Sequence, residues 1–169
     1  LGLAIMVFVF YPMLVSLTVK KLSWKRFSSG MRDAQLTAFS TSSSVATLPV
    51  TMQSVHEKLG VSSRTSSFVL PIGATVNMDG TSMYQAIAVV ALAQFHMVDL
   101  AWSQQAVIVL TATLASIGAA AVPSAGLVLM IIVLESVGLN PAWIALIFPV
   151  DRILDMCRTV VNVTGDGAV

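Results

Sequence analysis

Five polar residues near the C-terminal end of the chain recur at a helical spacing. Asp151, Asp155, Arg158, Asn162 and Asp166 lie four, three, four and four residues apart. At 100° per residue they fall within an arc of about 80°, one narrow face of a helix. The remainder of the segment is mostly apolar. That face sets three acids against one base, so negative charge is left over once Arg158 has paired, and bound cations are the natural compensation. Arg158 offers a planar fork suited to a carboxylate, and Asp155, one turn earlier, can accept from an ammonium group. Together they could hold an amino acid by both ends. The same face could instead line an oligomer interface, which would leave Arg158 overpaired or undercompensated. Asp151 and Arg152, nearest the predicted outer end, could serve simply as interfacial anchors.

A second polar group interrupts a long apolar run. Asn77, Met78, Asp79 and Gly80 follow closely on Pro71 and Gly73. Proline removes an N–H and glycine loosens a helix, so carbonyls between Gly73 and Asn77 are expected to leave the helical ladder and become available to a cation. Asp79 has no basic residue near it in sequence. A carboxylate at membrane depth needs a partner, and either a sodium ion or a hydrogen bond from a neighbouring helix would supply one.

The elements that must carry these groups read as membrane segments. The 169 residues are 56% hydrophobic and only 10% charged, against about 25% charged in soluble domains, so the expected solvent is a bilayer. A net charge of +1 gives no field that would attract nucleic acid, and no nucleic-acid partner is expected. One cysteine, Cys157, excludes an internal disulfide framework and a cysteine-rich zinc cluster. Leu1 opens straight onto an apolar run with neither a basic leader nor a cleavage site, which reads as a truncated N-terminus, not as a signal peptide.

The expected fold class is all-α and membrane-embedded. Residues 1–19 form a first transmembrane helix, followed by Lys20, Lys21, Lys25 and Arg26, a cluster that marks the cytoplasmic side. Residues 65–97 form a second span, broken at the polar tetrad, whose upstream loop carries His56, Lys58 and Arg64 and is therefore also cytoplasmic. Between these two inner loops, residues 30–58 begin and end on the same side and are expected to be a re-entrant hairpin, with Ser42, Ser43 and Ser44 ahead of Thr47, Leu48 and Pro49 at its tip. Residues 103–136 repeat the construction from the outside, since both flanking loops lack Lys and Arg, and break at Gly118 to Gly126. Each arm of that hairpin is roughly 18 Å of helix, too short to cross alone. Residues 141–169 are the polar-striped last helix. Backbone left unpaired at such tips is tolerated only beside protein or a wet cavity, and oppositely oriented hairpins suggest an inverted-repeat carrier with its site at the midplane. Trp24, Trp102 and Trp143 fall at the predicted water interfaces.

Ser42-Ser43-Ser44 with Thr47-Leu48-Pro49, then Asn77-Met78-Asp79-Gly80-Thr81, then Ser116-Ile117-Gly118 with Val122-Pro123, then Asp155 to Asp166, in this order, resemble the glutamate transporter family. The resemblance runs over essentially the whole chain and is closest in pattern to prokaryotic glutamate and aspartate:sodium symporters. It implies a partial transport domain of a multi-pass plasma-membrane protein, in a prokaryotic inner membrane, without the N-terminal helices and scaffold. It also implies a homotrimer that couples uptake of an acidic amino acid to transported sodium ions by an elevator motion, with no organic cofactor. By resemblance, Ser43, Ser44, Thr81, Val122, Gly126, Asp155, Arg158, Thr159 and Asn162 contact substrate, Arg158 taking the side-chain carboxylate and Asp155 the amino group. Gly73, Asn77, Asn162 and Asp166 resemble one sodium site, and Thr75, Ser116, Ile117 and Ala119 a second. Asp79 with Asn77 resembles part of a third.

The chain departs from the pattern in places. Many prokaryotic members carry arginine at the position of Ser42 and animal members at that of Met156, so the balancing of Asp155 is left open. Gln85 stands where animal members carry an acidic residue tied to proton and potassium coupling. A neutral amino acid or a C4-dicarboxylate is the alternative substrate; Asp155 favours a substrate with an amino group. Two other classes are weighed. An intramembrane hydrolase would need a nucleophile beside a base, whereas the acids here are spread among Arg158 and Asn162. A passive channel would not couple an amino acid to sodium.

Overall fold

The computed structural model describes residues 1–19 and 22–169, and the described residues are helical, with no strand among them. Lys20 and Lys21, half of the basic cluster from which the inward exit was argued, lie outside the described residues.

The first helical run is made of α1 (Gly2–Ile5), a wider π-helical stretch Met6–Phe10, and α2 (Tyr11–Thr18). Pro12 has no N–H to offer the carbonyl of Phe8, which accounts for the widened turn before it. Helix α3 (Trp24–Thr41) is capped by Ser23, whose Oγ accepts from the Arg26 N–H at 3.4 Å. It therefore starts six residues before the expected position 30. Ser42 ends it in a left-handed conformation at φ 52°. Ser43 then caps α4 (Ser44–Gln53), its Oγ accepting from the Ala46 N–H at 3.1 Å. Helices α3 and α4 pack against each other across this two-residue turn.

Helix α5 (Ser63–Val76), capped by Ser62, stops at Asn77, and α6 (Asp79–Phe95) resumes after Met78. The chain breaks at the polar tetrad. One detail differs from the sequence expectation: the Gly73 carbonyl stays in the ladder, accepting the Asn77 N–H at 2.8 Å. Pro71 removes its donor one turn earlier, so the helix is disturbed there without freeing Gly73. Helices α7 (Trp102–Ile117) and α8 (Ala125–Ser136) pack as a second pair around an irregular tip, where Ser124 is left-handed at φ 63°. A 3₁₀ turn, Pro141–Leu146, precedes α9 (Phe148–Ala168), so the last α-helix starts later than position 141.

Two apolar clusters flank α9. Val89, Ile108, Met130 and Leu134 centre the one built from α6, α7 and α8. Val15, Phe27, Met31, Leu70 and Val163 centre the other, which joins α2, α3 and α5 to α9. Helix α9 touches both sides, so its polar face is enclosed by packed helices. Large apolar side chains such as Phe8, Phe68, Phe95 and Ile153 point outward. Among the described residues no helix is long and apolar enough to cross a membrane by itself. The causes are local: the first run is widened at its middle, α5 and α6 are separated by the break, and α9 carries its charged stripe.

Candidate functional site

The site is assembled on the enclosed face of α9. Asp151, Asp155, Arg158, Asn162 and Asp166 are all buried, as the helical spacing requires. Arg158 is 1% exposed, and its Nη2 donates to Asp155 Oδ1 at 2.6 Å and pairs with Asp151 Oδ1 at 3.2 Å. Its guanidinium carbon lies 4.1 Å above the ring of Tyr84 on α6, whose hydroxyl donates to Asp151 Oδ1 at 3.1 Å. The balance of Asp155, left open by the sequence, is thus met by Arg158 together with the Ser124 N–H, which reaches Asp155 Oδ2 at 2.9 Å. Asp151 is not an interfacial anchor; burial and two partners place it in the ion-pair cluster. Arg158 still has two buried nitrogens without partners among the described residues, Nε and Nη1. A buried donor left unmatched on a charged group is costly, which makes this side of the guanidinium a place for an acceptor.

The two helix-pair tips meet next to this cluster. Ser43 Oγ donates to the Ala121 carbonyl at 2.6 Å, joining the α3–α4 tip to the α7–α8 tip. Between them lies a cavity of about 20 Å³, lined by Ser44, Thr81, Val122, Gly126, Asp155, Thr159 and Asn162 among others. This volume admits roughly one water molecule and no amino acid. All the substrate candidates except Ser43 and Arg158 line it, while Ser43 bridges the tips above it and Arg158 Nη1 faces Gly126. The Val122 side chain is more than half exposed. A much larger cavity, about 500 Å³ between α1, α6 and α9, has a mostly apolar lining that includes Met83, Phe95 and Leu154, with Tyr84 its polar side chain and no charged side chain among the described residues.

Asn162 ties the cavity to the break between α5 and α6. Its Oδ1 accepts the Gly80 N–H at 2.8 Å and its Nδ2 donates to Thr81 Oγ1 at 3.2 Å. Beyond it, Asn77 Nδ2 donates to Asp166 Oδ1 at 2.9 Å, and Gly73 packs so closely that a Cβ there would lie 2.7 Å from the same oxygen. Gly73, Asn77, Asn162 and Asp166 are therefore brought together. Of Thr75, Ser116, Ile117 and Ala119, Ser116 and Ala119 are joined, the Ala119 N–H donating to the Ser116 carbonyl at 3.1 Å, while Thr75 is exposed and its hydroxyl returns to the Pro71 and Ile72 carbonyls, and Ser116 Oγ returns to Thr113. Helices α5 and α7 are nonetheless in contact.

Asp79 receives a hydrogen bond from a neighbouring helix, the alternative to a sodium ion that the sequence left open, from a donor, Tyr11, that the sequence does not single out. The Tyr11 hydroxyl on α2 donates to Asp79 Oδ2, and the Gly80 N–H reaches Oδ1 at 3.1 Å. Tyr84 and the structural position of Gln85 were also missed. Gln85 is fully buried, donates from Nε2 to the Gly126 carbonyl at 2.8 Å, and has no partner for Oε1 among the described residues. The aromatic residues belong to apolar patterns with no local mark of their polar ends. His96, at the end of α6, stacks on Trp143 at 3.7 Å between centroids.

Buried Arg158, paired to Asp151 and Asp155, thus lies beside two meeting helix tips and a broken helix inside a helical bundle. The chain matches the sodium:dicarboxylate symporter family over residues 1–169, and it belongs to that family. It is 50% identical over 165 residues to the excitatory amino acid transporter of Caenorhabditis elegans, covering 98% of this chain and 33% of that protein. It is 53% identical to excitatory amino acid transporter 3 of Oryctolagus cuniculus, with 98% and 31% covered. With excitatory amino acid transporter 1 of Rattus norvegicus the identity is 50%, with 98% and 30% covered. The chain thus spans about a third of the length of the relatives it matches. These relatives are animal proteins, so the prokaryotic placement expected from the sequence gains no support from them.

Proposed function

We propose that the protein to which this chain belongs is a secondary active symporter that couples uptake of glutamate or aspartate to sodium ions. The observation that carries this reading is Arg158, buried and ion-paired to Asp155 yet holding two unmatched donors beside the cavity where the tips meet. A substrate carboxylate would take those donors, and its ammonium group would replace Arg158 as the partner of Asp155. Admission requires the tips to part, because Ser43–Ala121 and Ser124–Asp155 close the cavity.

The sodium ions are cargo, bound by oxygen atoms. Gly73, Asn77, Asn162 and Asp166 form one site, Asp79 with Asn77 part of another, and Thr75, Ser116, Ile117 and Ala119 a third. Sodium is a hard cation, and carboxylate, amide and carbonyl oxygens suit it. The pairs α3–α4 and α7–α8 are read as re-entrant hairpins entering from opposite membrane faces, within a homotrimer in the plasma membrane whose transport domains move elevator-fashion. Outward-facing Phe8, Phe68 and Ile153 support contact with lipid or neighbouring protein.

The test is uptake of labelled aspartate and glutamate by the full-length protein in liposomes, with and without an inward sodium gradient. Gradient-dependent accumulation is expected. Uptake indifferent to sodium would overturn the coupling, and preference for succinate or alanine would move the protein to the C4-dicarboxylate or neutral amino acid alternative.

A further inference from the structure

Tyr11 is 1% exposed and carries its hydroxyl from α2 into the break between α5 and α6. The other hydroxyls of α2, on Ser16 and Thr18, return to carbonyls of their own helix. Tyr11 donates to Asp79 Oδ2, and among the described residues no basic side chain answers that carboxylate, since Arg158 pairs with Asp151 and Asp155. Gly165 of α9 makes the convergence possible. A Cβ there would lie 2.6 Å from the Tyr11 oxygen, 2.8 Å from Asn77 Nδ2 and 3.2 Å from Asp79 Oδ2. Three polar groups from three elements therefore close on one bare stretch of backbone.

A phenol donating to a carboxylate oxygen and a cation bound to that oxygen draw on the same lone pairs, and the phenol proton repels the cation. We propose that Tyr11 is a positioning residue that competes with sodium for Asp79, holding the carboxylate until an ion enters and turning its hydrogen away as the ion binds. This rests on the reading of Asp79 as a sodium ligand. It sets the sodium affinity of that site below what Asp79 and Asn77 alone would give, and it ties occupancy of the site to the placement of α2.

The sign of the effect separates this role from packing. Loss of a structural contact weakens ion binding, whereas loss of a competitor strengthens it. In the full-length protein, Tyr11→Phe should lower the half-saturating sodium concentration for aspartate binding about tenfold, the effect of one charge-assisted hydrogen bond. The variant should melt at a lower temperature than the parent without sodium and recover more of that difference as sodium is added. Tyr11→Leu removes the same hydroxyl and should shift sodium dependence in the same direction if the phenylalanine variant does not fold. An unchanged or raised half-saturating concentration would overturn the proposal. Asp79→Asn distinguishes the two layers of inference. If it weakens sodium dependence while Tyr11→Phe does not tighten it, only the role of Tyr11 falls. If Asp79→Asn leaves sodium dependence untouched, Asp79 is no ligand and the role of Tyr11 falls with it.

Discussion

An acidic amino acid presents three charged groups, and a site of low dielectric must answer each of them, because a buried unpaired charge is expensive. On the proposed reading the answering charges sit on one helix face: Arg158 would take the side-chain carboxylate and Asp155 the ammonium group, with Ser44 and tip backbone left for the main-chain carboxylate. Asp151 pairs with the same Nη2 as Asp155, and the Tyr84 ring lies under the guanidinium, so Arg158 keeps partners if Asp155 turns to the substrate. Replacing Arg158 by a small neutral residue strands the substrate carboxylate at a cost of about 3 to 5 kcal/mol, or two to four decades of affinity. A neutral amino acid loses no such partner. Arg158→Cys in the full-length protein should therefore abolish aspartate and glutamate binding while serine or alanine binding persists or appears. Asp155→Asn should harm both classes, because both carry the ammonium group. Calorimetric titration of each variant with aspartate and with serine reads the difference. Undiminished aspartate binding by Arg158→Cys would show that the side-chain carboxylate lies elsewhere.

Helices α6 and α9 approach each other at Gly80, where a Cβ would lie 2.8 Å from the Arg158 carbonyl and 2.9 Å from Asn162 Oδ1. The glycine is required by this crossing, since its own N–H must also reach Asn162 at 2.8 Å. Gly80→Ala forces the two helices apart or turns Asn162 away, an overpacking cost of about 1 to 3 kcal/mol. The expected outcome is a lower melting temperature in detergent together with weaker aspartate and sodium binding, because Asn162 belongs to the cavity lining and to the proposed sodium site alike. A variant with both properties intact would mean that the crossing is looser than these distances state. At this scale the sequence was legible where the signal is local. The stripe on α9 follows from a 3.6-residue period, and the break before Asp79 follows from Pro71, Gly73 and a polar tetrad in an apolar run. The start of α3 was not legible, because Trp24 to Ser29 read as a loop until Ser23 is seen to cap it. Nor were the partners of the acids. Tyr84 meets Asp151 across 67 residues and Tyr11 meets Asp79 across 68, separations that no periodicity encodes.

For the molecule as a whole, the proposed sodium-coupled transport raises the question of which other ions would drive the cycle, and Gln85 bears on it. Its side chain is fully buried in α6 and bonds the Gly126 carbonyl of α8 at 2.8 Å, so it links the broken helix to the α7–α8 pair that closes the cavity. In animal members of the family an acidic residue takes this position and is tied to proton and potassium coupling. A carboxyl group can donate to the Gly126 carbonyl only while protonated; once ionised it would set a buried negative charge against a carbonyl oxygen. The amide donates in every protonation condition. The link from α6 to α8 thus persists without a proton, and no proton need leave for potassium to act in its place. Although the chain is half identical to animal excitatory amino acid transporters, its transport rate in liposomes should be the same with a potassium-free interior as with potassium inside. Gln85→Glu should make the rate depend on pH and fall as the medium becomes alkaline, because the introduced carboxyl then loses the proton it needs to hold Gly126. Clear stimulation of the parent protein by internal potassium would show that another group carries the coupling and that the amide at Gln85 does not abolish it.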